Sequence, residues 1–126
     1  MAVLTFHEEI QELMDQMANA YRAADAHSCA QMFVPEGVLY SPYAVPAQGR
    51  TEIESLHRIW TGEGTGKQLK VLEADNSGNL GWCLVAYSEG DATGNGTSLC
   101  VVERQPNGKW LIRICSLSSD EPPLLE

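Results

Sequence analysis

Near the start of the chain, Ile10, Leu13, Met14, Met17 and Tyr21 recur at helical spacing and share one face. Thr5 and Glu8 form a capping box ahead of them, so the pattern predicts a helix over residues 5–24. Asp25 suits the N-cap of a second, shorter helix, with Cys29, Met32 and Phe33 turned inward and Pro35 ending it. Residues 38–41 read as a brief strand, and Pro42 and Pro46 stiffen the loop that follows. Thr51 with Glu54 forms another capping box, opening a third helix whose inner face carries Ile53, Leu56 and Trp60. Beyond Trp60 the period changes. Gly62, Gly64 and Gly66 make a flexible connector, and the remainder alternates like strands over residues 67–74, 80–88, 97–105 and 110–118. Asn76-Ser77-Gly78-Asn79 and Pro106-Asn107-Gly108-Lys109 are turn chemistry between antiparallel neighbours. Three helices followed by a four-stranded meander make an α+β pattern. The expectation is one domain over residues 1–126, with a core of about 5–118 and a frayed tail carrying Pro122 and Pro123.

Both faces of the predicted strands are apolar. In the last strand Trp110, Ile112 and Ile114 lie on one side, and Leu111, Cys115 and Leu117 on the other. In the strand before it Leu99 and Val101 oppose Cys100 and Val102. Such a sheet needs cover on both faces, and the helices can cover only one. A homodimer through the other face is therefore expected.

Composition narrows the partners. A formal net charge of -9, with basic residues scattered singly, argues against nucleic acid. No apolar run approaches the roughly 20 residues of a membrane span, and MAVLTFHEEI lacks the pattern of a secretory signal. The four cysteines, Cys29, Cys83, Cys100 and Cys115, are isolated, which reads as reduced core thiols in a cytoplasmic protein. No metal-ligand spacing is present, and neither a metal nor an organic cofactor is expected. Gly62-Glu63-Gly64-Thr65-Gly66-Lys67 is not a phosphate loop, because it follows a helix and Gln68 stands where Ser or Thr is required.

From about His7 to Ser118 the chain resembles the SnoaL-like, ketosteroid isomerase-like branch of the nuclear transport factor 2-like superfamily, with the order of elements from Ala20 to Ile53 matching its opening half. Its markers are Tyr21 and Asp25 with Phe33, Gly49 with Ile53, and the closing turn and strand over residues 107–112. The resemblance implies three N-terminal helices packed in the concave face of a strongly curved, mixed, mainly antiparallel sheet. It also implies a small-molecule pocket at the wide end of the cone and dimers packed through the convex sheet face. Ketosteroid isomerase chemistry uses a carboxylate base, with a tyrosine and a protonated aspartic acid as oxyanion donors. By the resemblance those positions hold Ser41, Met17 and Cys100, which lack the basicity and donor strength required. An isomerase, dehydratase, cyclase or hydrolase of a small hydrophobic metabolite would need other machinery. The alternative is a non-catalytic ligand-binding or assembly module.

Two residues are candidates for chemistry. His57 borders the apolar face of the third helix, where it is either a general acid or base or a boundary histidine bonded to a carbonyl or water. Arg113 shares a strand face with Cys115 and Leu117, which the resemblance turns into the cone. There it would hold a carboxylate or carbonyl, unless it pairs with Glu73 or Asp75. Tyr40, Ser41 and Tyr43 are expected at the rim. Met17, Leu56, Trp60, Trp82, Cys100, Val102, Cys115 and Leu117 are expected in the pocket wall.

Overall fold

The computed structural model describes residues 3–63, 66–88 and 94–120. The expected frayed tail and the middle of the glycine connector lie outside the described residues. Helix α1 spans Phe6–Arg22, and Thr5 closes both halves of the expected capping box with Glu8. Asp25 caps α2, Ala26–Gln31, by accepting from the backbone N–H of Ser28. That helix ends earlier than Pro35 would dictate, because Phe33 already begins strand β1, Phe33–Ser41. Pro35 is tolerated there because β1 pairs with β2 only from Val38 onward, and its register against β6 is broken between Phe33 and Val38.

The expected proline loop is instead an edge strand, β2, Ala44–Gln48. Helix α3, Gly49–Trp60, starts before Thr51 and has no side-chain cap. Gly49 takes φ +82° at the junction, a conformation open to glycine. Thr51 accordingly lies inside the helix, and Glu54 reaches His27 and Arg58 instead of a cap. Strands β3 (Gln68–Ser77), β4 (Leu80–Ser88), β5 (Gly96–Arg104) and β6 (Trp110–Ser119) form the expected meander.

The six-stranded sheet runs in the order β2-β1-β6-β5-β4-β3. Among the described residues, only the β1–β6 pair is parallel. Helix α1 lies along β3 and α3 along β1, with α2 between the two helices. Their inner faces join Val71, Cys83, Val85, Cys100, Val102 and Ile112 in one core. One irregularity decides the geometry of the site. Val101 pairs with Ile114 while Val102 pairs with Ile112, so Arg113 is an extra residue in β6. The bulge shifts the alternation: Trp110 and Ile112 face the core before it, and Cys115 does so after it.

Candidate functional site

A cavity of about 60 Å³ lies between the helices and the sheet. Met14, Met17 and Tyr21 of α1, His57 and Trp60 of α3, and inward residues of the sheet line it. His57 projects inward because it follows Ile53 by one helical turn. Its Nδ1 lies 2.8 Å from the Ile53 carbonyl oxygen, so Nδ1–H donates there and Nε2 is left as an acceptor. Tyr21, Trp60 and Phe33 surround the imidazole at ring-centre distances of 6.0, 5.5 and 6.4 Å. Burial lowers its pKa to about 4, the Ile53 carbonyl opposes that shift, and the charge of Lys67 adds to it. At neutral pH this imidazole is an uncharged acceptor and weak base.

Lys67 follows the glycine connector and is 4% exposed. Its Nζ lies 4.7 Å from the ring centres of both Tyr21 and Tyr87, where a cation meets two electron-rich faces. Arg22 fixes the backbone by donating through Nη1 to the Lys67 carbonyl. Tyr87 shares a hydrogen bond with Tyr43, oxygen to oxygen 2.7 Å. A Cβ on Gly96 would stand 2.4 Å from the Tyr87 hydroxyl oxygen, so the glycine leaves room for that phenol. Among the described residues, Lys67 is the one Lys or Arg lining the cavity, and no carboxylate lines it.

Six of the expected site residues line this cavity: Met17, His57, Trp60, Cys100, Cys115 and Leu117. Six others are placed differently. Val102 is fully buried in the core beyond the cavity wall, and Leu56 packs partly buried against that core. Tyr43 stacks edge-on against Trp60, and Ser41 accepts a hydrogen bond from the Tyr43 backbone. Tyr40 is exposed. Trp82 is on the opposite sheet face, bordering a separate cleft of about 540 Å³ with Asp75, Leu80 and Val101.

Arg113 requires a correction. It lies outside the cavity and pairs with Glu36 at 3.0 Å and Glu103 at 3.7 Å, not with Glu73 or Asp75. The bulge separates it from the inward phase of Cys115 and Leu117. The cation beside His57 is Lys67, which strand alternation alone does not reveal.

No protein-family model matches the chain. No curated protein matches it. Solved structures do. A ketosteroid isomerase-like protein from Erwinia carotovora atroseptica is 18% identical, with a TM-score of 0.78 over 92% of this chain and 97% of that one. A domain of unknown function with a cystatin-like fold from Nostoc punctiforme is 20% identical, with a TM-score of 0.74 over 95% and 81%. A nuclear transport factor 2-like protein from Novosphingobium aromaticivorans is 18% identical, with a TM-score of 0.70 over 92% and 82%. At these identities the likeness establishes the fold. The chain has the nuclear transport factor 2-like, ketosteroid isomerase-like fold, which is shared by proteins of unknown function.

Proposed function

We propose that the chain is a small-molecule pocket protein that binds a compact, mainly apolar carbonyl or carboxyl compound. Lys67 faces the ligand oxygen, and His57 Nε2 faces an adjacent C–H or O–H proton. The observation that carries this reading is the meeting of a buried ammonium and a neutral imidazole on the Tyr21 ring. An ammonium stabilises negative charge developing on oxygen, most strongly where water is excluded. An imidazole with a pKa of about 4 has the basicity of an ordinary carboxylate. Together they suit proton transfer beside a carbonyl, as in isomerisation or dehydration, without a carboxylate base. At about 10–15 Å³ per water-sized occupant, the cavity limits the ligand to roughly four to six non-hydrogen atoms.

Proton exchange separates catalysis from binding. In D2O, NMR of a panel of short ketones and carboxylic acids should show protein-accelerated exchange at the carbon next to the carbonyl. His57→Gln should abolish the exchange, and Lys67→Met should weaken binding. Binding without exchange makes the chain a non-catalytic module. No binding across the panel overturns the reading.

The outer sheet face supports a second proposal, a homodimer. Val38, Ile114, Val101 and Trp82 are register partners across four adjacent strands and form an apolar row. Leu99 stands beside that row with 53% of its surface exposed. The helices cover the other face, so a second copy is the self-complementary cover we assign to this one. Four free thiols suit a reducing compartment such as the cytoplasm. Among the described residues no helix is long and apolar enough to cross a membrane.

A further inference from the structure

Three of the four cysteines stand side by side in the sheet. Cys83 pairs with Cys100, and Cys100 pairs with Cys115, so one inward row crosses β4, β5 and β6. The Cys100 thiol donates to the Cys115 sulfur, with Sγ to Sγ at 3.3 Å. Directly opposed residues of an antiparallel pair have Cα atoms about 4.5–5.5 Å apart, within the roughly 4.4–6.8 Å that a disulfide spans. Cys100 and Cys115 both line the cavity, whereas Cys83 does not.

We propose that Cys100 and Cys115 form a peroxide-reactive dithiol site in the cavity wall, closing to an intrachain disulfide. Cys115 is 7% exposed and Cys100 1%, so Cys115 meets the oxidant first. Its thiolate attacks one oxygen of hydrogen peroxide and the O–O bond breaks. Hydroxide leaves, takes up a proton, and Cys115 becomes a sulfenic acid. The Cys100 sulfur then attacks Cys115 Sγ, the S–O bond breaks, and a second hydroxide leaves as water. Two thiols and one peroxide thus give one disulfide and two waters. Hydrogen bonding to Cys115 and Cys83, reinforced by burial, raises the Cys100 pKa well above the ordinary thiol value, which fits Cys100 as the second partner. Peroxide has two heavy atoms and fits a cavity of about 60 Å³. The step does not depend on which compound the cavity binds.

The test treats the reduced full chain with a small molar excess of hydrogen peroxide and then maps it with trypsin. The expected product is lighter by about 2 Da. It should contain a cross-link between the peptide ending at Arg104 and the peptide beginning at Ile114. Cys83→Ser should retain that cross-link, and Cys115→Ser should lose it. Mapping the unsubstituted chain keeps the outcome readable if a variant folds poorly. A Cys83–Cys100 bridge within one tryptic peptide, a bridge between two chains, or four thiols surviving the treatment overturns the proposal.

Discussion

His57 is uncharged in the folded chain because protonating it would bury a cation among Tyr21, Phe33 and Trp60, near the charge of Lys67. Its folded pKa of about 4 lies below the 6.5 of an unperturbed histidine, so the unfolded chain takes up the proton first. The contribution to stability is therefore complete above pH 6.5 and is lost as the pH falls through about 4. Between pH 7 and pH 5 the loss from this group is about 2 kcal/mol. Urea unfolding at the two pH values should show it, and His57→Gln should flatten the difference. Equal slopes in both proteins would mean that the imidazole is hydrated and the burial account is wrong. His57 was legible in the sequence, since helical spacing from Ile53 fixes its direction. Lys67 was not. Its position depends on how the chain leaves η1, Thr61–Glu63, and enters β3, and periodicity says nothing about a glycine-rich connection.

Capping shows how far local chemistry defines an element. Thr5-x-x-Glu8 and Thr51-x-x-Glu54 are equivalent as sequence, yet only the first closes as a box. In the second, Gly49 turns the backbone and the N-cap falls at Gln48, three residues before Thr51, which leaves Thr51 no orphan N–H to satisfy. Thr5→Ala should cost about 1 kcal/mol in urea unfolding, while Thr51→Ala should change stability by less than about 0.5 kcal/mol. Similar losses in the two variants would sink this account. Strands β4, β5 and β6 were readable because their alternation is long and bounded by turns. Strand β2 was not, because Pro46 looks like a loop residue until the strand is known to lie at the sheet edge, where a missing N–H is tolerated. The β6 bulge was equally hidden. One extra residue inverts the facing of everything after it, so Cys115 and Leu117 belonged to the predicted cavity while Arg113, assigned to the same face, does not.

Across the whole molecule, the two sheet faces carry different burdens. The inner face holds the core and the cavity, and its apolar residues are already packed against α1 and α3. On the outer face, Trp82 keeps 42% of its surface exposed and Ile114 38%, at opposite ends of a contact through Val101. Alternation in β5 and β6 was enough to expect this second apolar face. It could not say how the row lines up, because that depends on register. In a two-fold interface the centre of the row meets its own copy, so a charge there opposes an identical charge. Val101→Glu should therefore convert the proposed dimer to a monomer in sedimentation velocity at micromolar concentration. The far-UV circular dichroism should stay unchanged, since the inner core is untouched. A wild-type chain that sediments as a monomer under those conditions would refute the dimer and leave the row to some other cover. A dimer that survives Val101→Glu would instead place the contact elsewhere. The cavity and the dithiol face the other way, so neither outcome alters the reading of the site.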